Sequence, residues 1–343
     1  TGSIMLGAGF SSSEGVVLSG SVSQNNVFGT GNRLSAQINS GSVNTVYALS
    51  YTNPYYTING VSLGYDLYRR DVDATSLSNV GAYKTSTYGA GARFGLPINE
   101  RDFISFGLTY EQTSVTTYAD SPVQYTRFVD EFGRDNDTVR LDTSWARDTR
   151  NSYLFPTKGL MQRVAAEVGV PGGSLQYYKL SFQNQQYFPL SRSFTLMLNG
   201  EVGIGDGLSG KPLPFFKNFY AGGNSSVRGF KTGTLGPKDA NGDALGGDKR
   251  VVGNAELFFP LPGLKDDQSL RMSAFVDAGA AFGPDDKDGL YKTFAFDDLR
   301  YSAGIAVLWV SPLGPLKFSL AQPLSKKTGD KTEIFQFTLG NVF

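Results

Sequence analysis

Bulky apolar residues alternate with polar, charged or small ones from one end of this chain to the other. In the last nine residues, Phe335 to Phe343, the positions Phe335, Phe337, Leu339 and Phe343 share one face, and Gln336, Thr338 and Gly340 share the other. This follows because successive side chains of a strand point to opposite sides. The same period-2 pattern runs through Leu34, Ala36, Ile38; Val61, Leu63, Tyr65, Leu67; Ile104, Phe106, Leu108, Tyr110; Val164, Ala166, Val168; Tyr178, Leu180, Phe182; Met272, Ala274, Val276; and Tyr301, Ala303, Ile305, Val307, Trp309. Interleaved with them are Asp66, Arg70, Arg163, Glu167, Lys179, Gln183, Asn199 and Glu201. A charge facing lipid at the bilayer midplane costs about 2–4 kcal/mol, so the interleaved set must face a wet lumen and the apolar set the membrane. The pattern predicts an all-β fold, an antiparallel transmembrane β-barrel of about 16 strands that occupies residues 1–343 as one domain.

The connections differ in kind, and that orients the barrel. One set is short and rich in turn formers: Asn53-Pro54, Leu96-Pro97-Ile98-Asn99-Glu100, Phe188-Pro189-Leu190-Ser191 and Ser311-Pro312-Leu313-Gly314-Pro315. The other includes long excursions over 71–85, 112–137, 205–249 and 282–297. Short turns belong on the periplasmic side and long loops outside, which places both termini in the periplasm. An aromatic at the chain's end, Phe343, fits an anchor at the membrane interface. A soluble β-sandwich or propeller is the competing reading, but those folds bury the apolar face and rarely sustain so long a meander.

Composition narrows the chemistry. No apolar stretch approaches the roughly 20 residues of a membrane helix, so the bilayer can be crossed only by a closed sheet. Lys+Arg and Asp+Glu are 31 each, which gives no basic field for nucleic acid. With no Cys there is no disulfide framework or thiol metal site, and with no His the usual general base and metal ligand are missing. No catalytic residues, metal or cofactor are expected, and the chain is not read as an enzyme. It opens Thr1-Gly2-Ser3 without a signal peptide, although an outer-membrane protein is exported. The expectation is a processed or engineered start with further sequence upstream.

The 205–249 loop is far longer than an ordinary connection. It carries Pro214-Phe215-Phe216-Lys217-Asn218-Phe219-Tyr220 and then Ala221-Gly222-Gly223-Asn224-Ser225-Ser226-Val227-Arg228-Gly229-Phe230, too apolar to remain in solvent. It is predicted to fold back into the lumen. With Val227-Arg228-Gly229-Phe230 the chain resembles the BamA family of outer-membrane assembly factors, whose long sixth extracellular loop carries a Val-Arg-Gly-Phe/Tyr motif. The resemblance extends through Gly95-Leu96-Pro97-Ile98-Asn99-Glu100, Tyr153-Leu154-Phe155-Pro156-Thr157-Lys158-Gly159, Trp309-Val310-Ser311-Pro312-Leu313-Gly314-Pro315-Leu316 and Ala321-Gln322-Pro323. It implies that Arg228 is held inside the barrel by acidic residues of the following strands, here Glu256 and Asp277. The alternation agrees independently, since it turns Asp277 to the lumen. A wet lumen is expected to screen that pair and to lower the cost of breaking it. The contact can equally be a simple plug that stabilises the barrel.

Closure joins the first strand to the last, and both look weak. Ile4, Leu6, Gly7 and Gly9 lie on one side of this seam; Phe335, Phe337, Leu339, Gly340 and Phe343 lie on the other. Glycines weaken a strand or let it kink, although they can equally serve barrel curvature alone. The family resemblance implies catalysed insertion of unfolded outer-membrane β-barrel substrates into the lipid bilayer, by lateral opening at the seam and β-augmentation, within a complex that includes lipoproteins. It also implies POTRA domains upstream of Thr1. A related two-partner-secretion or translocation barrel is the near alternative; a passive porin is the alternative from another class.

Overall fold

The computed structural model describes residues 2–261, 269–283, 296–311 and 314–340. The strands are β1 (Gly2–Ser11), β2 (Gly15–Gln24), β3 (Arg33–Ser40), β4 (Asn44–Asn53), β5 (Ser62–Asp73), β6 (Lys84–Pro97), β7 (Asp102–Thr116), β8 (Asp135–Asp148) and β9 (Gly159–Gly169). They continue as β10 (Tyr177–Pro189), β11 (Thr195–Gly207), β12 (Gly229–Phe230), β13 (Lys249–Phe259), β14 (Leu270–Phe282), β15 (Arg300–Ser311), β16 (Gly314–Ser325), β17 (Thr332–Glu333) and β18 (Phe335–Leu339). Among the described residues one α-helix, α1 (Val123–Phe132), lies between β7 and β8. All strands except β12 and β17 form one closed antiparallel barrel of 16, in which each strand pairs with its neighbours in the chain and β1 meets β18. The strands β12 and β17 pair only with each other.

Side-chain exposure inverts that of a soluble protein. Leu67, Leu108, Tyr110, Phe182 and Val276 stand exposed on the outer wall, while Thr109, Glu111, Thr138 and Ser273 are buried inside. Where bulk solvent is hydrocarbon this arrangement is the stable one. Outward Tyr47, Tyr88 and Tyr110 lie near the ends of their strands that carry the long loops; Phe103, Trp145, Phe194 and Trp309 lie near the opposite ends. These are the two aromatic girdles of a membrane barrel.

The strands run further than the apolar alternation suggests. The excursions expected over 71–85, 112–137 and 205–249 shrink to 74–83, 117–134 and 208–248. Hydrogen-bonded pairing continues past the bilayer after the side chains turn polar, so hydrophobicity marks the membrane band rather than the strand. The 117–134 connection is not simply a polar loop, because α1 turns Tyr125, Phe128 and Val129 inward at helical spacing. They join Tyr83, Val115, Leu175, Tyr177, Phe215 and Leu245 in a core that roofs the loop end of the barrel. Phe343 and residues 284–295 lie outside the described residues.

Candidate functional site: a lumen anchor and a short seam

The 208–248 connection is the sixth on its side of the barrel and is tied down at both ends of its inward fold. At the outer end Phe215 stacks on Tyr125 at 4.0 Å, while Lys217 Nζ bonds Glu167 Oε1 of β9 at 2.7 Å. At the inner end Val227 and Phe230 are fully buried with Ala221, Leu235 and Ala281. Between them Arg228 meets two strands at once. Its Nε and Nη2 donate to Asp277 Oδ2 and Oδ1 at 2.7 and 2.8 Å, the side-on geometry that suits a guanidinium and a carboxylate. Its backbone N–H donates to the same carboxylate at 3.0 Å, and Nη1 reaches Glu256 Oε1 at 3.2 Å.

Second partners hold both carboxylates. Asn254 donates to Asp277 Oδ1 at 2.8 Å and to the Ser226 carbonyl at 2.7 Å, and Ser273 donates to Glu256. The guanidinium carbon lies 3.3 Å from the centre of the Phe275 ring. Arg228 is 3% exposed and Asp277 0%. The expected screening by a wet lumen therefore does not apply at this point: the loop itself seals the pair. Gly229 follows with φ +89°, and a Cβ there would come within 3.1 Å of the Ala321 side chain. The motif's glycine is thus required by both conformation and space.

Among the described residues the seam is shorter than its residues suggested. Strand β1 pairs with β2 along its whole length, from Gly2↔Gln24 to Ser11↔Gly15. With β18 it pairs only at Phe10↔Leu339 and Ser11↔Thr338. Ile4, Leu6 and Gly7 therefore sit opposite Val22, Gly20 and Ser19 of β2, and none faces a described residue of β18. Phe335 and Phe337 pair with Leu320 and Phe318 of β16. Of the expected seam residues, Leu339 lies in the ladder, and a Cβ on Gly340 would lie 3.2 Å from the Ala8 carbonyl and 3.4 Å from the Gly9 Cα. Pairing register in a barrel is set by its tilt and shear. Alternation reveals facing but not register.

The last strand also touches the loop. Gln336, 1% exposed, donates to the Phe230 carbonyl at 2.8 Å and to Glu333 Oε2 at 3.0 Å, and it accepts from the Gly229 N–H at 3.3 Å. Asn224 donates to Thr338 Oγ1 at 2.8 Å and accepts from Ser319 at 3.2 Å. Gln336 was legible only as a lumen-facing residue; a buried amide beside a loop motif leaves no periodic mark.

The Omp85 superfamily domain matches residues 26–343. The chain is 42% identical, over its full length, to the outer-membrane protein assembly factor BamA of Neisseria meningitidis serogroup B, of which it covers 47%. It is 31% identical over 54% of its length to the human sorting and assembly machinery component 50 homolog, covering 41% of that protein. Thus it spans about half the length, or less, of these curated relatives. The crystal structure of BamA from Haemophilus ducreyi lacking POTRA domains 1–3 superposes with a TM-score of 0.92 at 30% identity, over 98% of this chain and 69% of that one. CdiB from Acinetobacter baumannii, at TM-score 0.61 and 14% identity over 98% of this chain and 59% of that one, shares the fold. With the closed barrel and its inserted loop, these matches place the chain in the Omp85 superfamily, as a β-barrel of the outer membrane.

Proposed function

We propose that this barrel is the membrane domain of an outer-membrane protein assembly factor, which folds β-barrel substrates and inserts them into the bilayer through its β1–β18 seam. The observation that carries the reading is the imbalance between the two edges of β1. One edge is paired with β2 throughout; the other meets described residues of β18 only at Phe10 and Ser11. Along the remainder, Ile4, Met5 and Leu6 are strongly exposed. An unpaired backbone edge in hydrocarbon costs several kcal/mol per polar group, so an arriving strand that pairs with it is strongly favoured. The substrate's terminal strand adds to β1 by β-augmentation, further hairpins follow, and the product leaves sideways. No covalent bond is made or broken.

In this reading the Val227-Arg228-Gly229-Phe230 motif, with Glu256 and Asp277, keeps the lumen loop in place while the seam works. The full protein carries periplasmic POTRA modules ahead of the barrel, has both barrel termini on that side, and joins accessory lipoproteins. The test uses the full-length protein with cysteines at Ser11 and Thr338, Cα partners across the seam in a chain that has no other Cys. Oxidation should stop substrate insertion and reduction should restore it. Insertion that continues through a covalently sealed seam sinks the proposal.

A further inference from the structure

We infer that Gln336 is a positioning residue that makes release of the lumen loop and opening of the seam a single event. The inference rests on the seam reading above and adds how that seam is governed. Among the described residues the ladder of β18 with β16 runs from Leu316↔Leu339 to Leu320↔Phe335. Ahead of it the chain leaves the wall, so that Thr332–Glu333 pairs inside the barrel with Gly229–Phe230 of the loop motif. The motif's backbone is then gripped from the other side by the Gln336 amide, which donates to the Phe230 carbonyl and accepts from the Gly229 N–H as a peptide group would. Asn224 forms a second tether, spanning the junction of β16 and β18 through Ser319 and Thr338.

Thr338 is itself the Cα partner of Ser11 across the seam. Contacts therefore run from Asp277 through Arg228 and Gly229 to Gln336, and separately from Asn224 to Thr338, both ending on the strand that meets β1. Arg228, Gly229, Phe230 and Gln336 are buried, so water cannot replace a bond that breaks among them. If β18 moved off the wall, Gly229 N–H and Phe230 C=O would lose their side-chain partner in a dry site. If the loop withdrew, the Gln336 amide would lose its main-chain partners there. Coupling of this kind is reciprocal: whatever frees one element frees the other.

Amide hydrogen exchange on the full-length protein in lipid nanodiscs tests this without any substrate. Gln336→Leu removes both main-chain bonds while keeping an apolar chain of similar reach. It should raise exchange about ten-fold in the segment 222–231 and at residues 10–12 together, equivalent to ~1.4 kcal/mol, with β7 to β10 unchanged. Asn224→Ala, an independent tether, should loosen the same two segments if Gln336→Leu fails to fold. In the Ser11→Cys/Thr338→Cys protein, the oxidised form should exchange more slowly over 222–231 than the reduced form. A loop that loosens while residues 10–12 keep their protection, or a sealed seam that leaves 222–231 unaltered, overturns the inference. Neither outcome bears on whether a sealed seam blocks insertion, so the two proposals fail separately.

Discussion

Across the seam the rings of Phe10 and Phe337 stack at 4.8 Å, 8° from parallel, one on the first strand and one on the last. Both belong to the lipid-facing sets of their strands, and Phe318 continues the row at 6.2 Å from Phe337. Lipid tails would cover both rings if the strands separated, so burial contributes little here, and what remains is the aromatic pairing itself. That is worth about 0.5–1.5 kcal/mol. Phe10→Ala should therefore speed exchange of the Ser12 amide, which donates to the Phe337 carbonyl across the seam, by a few-fold to about ten-fold while leaving the barrel's melting temperature nearly unchanged. Unaltered exchange at Ser12 would show that the stack does not hold the seam.

The Arg228 cluster should behave in the opposite way, as a stability element. Arg228→Ala leaves Asp277 and Glu256 buried with one cation fewer, and removing one partner of a buried pair costs about 3–5 kcal/mol. Arg228→Lys should recover little, because an ammonium cannot meet Asp277 side-on while reaching Glu256. Asp277→Ala should cost as much as Arg228→Ala. The readout is the temperature at which the folded barrel loses its fast electrophoretic mobility. Mobility retained to the wild-type temperature in Arg228→Ala and Asp277→Ala would remove the anchor.

The outer tether of the same loop depends on packing rather than charge. Phe215 sits among Tyr83, Tyr125 and Phe128, with ring centres 4.0 to 5.5 Å away. Phe215→Ala should cost about 3–5 kcal/mol of local stability, and Lys217→Ala should remove the bond to Glu167. Limited proteolysis between residues 208 and 222 should accelerate in Phe215→Ala. Cleavage at the wild-type rate would mean that the loop is held without this aromatic core.

The wall of this barrel was legible in the sequence because lipid and water impose a period of two on every strand, so Asp277 could be assigned to the lumen by counting from Met272. Arg228 and its acidic partners were legible through the motif. What stayed hidden depends on relations that no period encodes. Register is set by shear, so the partners of Ile4, Leu6 and Gly7 could not be read from alternation. The helix at Val123–Phe132 is short and bears charge on its outer face, so its three inward residues were lost in a long polar stretch. Lys217 and Gln336 act by pairing with residues about 50 and 106 positions away, on Glu167 and Phe230.

Acid should loosen the loop end through Asp330. Its side chain is fully buried between Arg300, whose Nε and Nη2 donate at 2.8 and 3.1 Å, and Lys238 of the long loop at 3.1 Å. Burial pushes the Asp330 carboxyl up, but hydrogen bonds from Arg300 and the Lys327 N–H, with the Arg300 charge and the Lys238 bond, outweigh it. The carboxyl ends below its ordinary value of 3.8. A depressed carboxylate contributes stability that is complete above the unfolded value and is lost as pH falls through the folded one. At neutral pH the tether between 238 and 330 is thus intact, and it should fail only below 3.8. Pepsin cleavage near Lys238 should rise in that window for the wild type. Asp330→Asn should be cleaved readily throughout the acid range, with no step; a step that survives in Asp330→Asn would assign the acid response to another group.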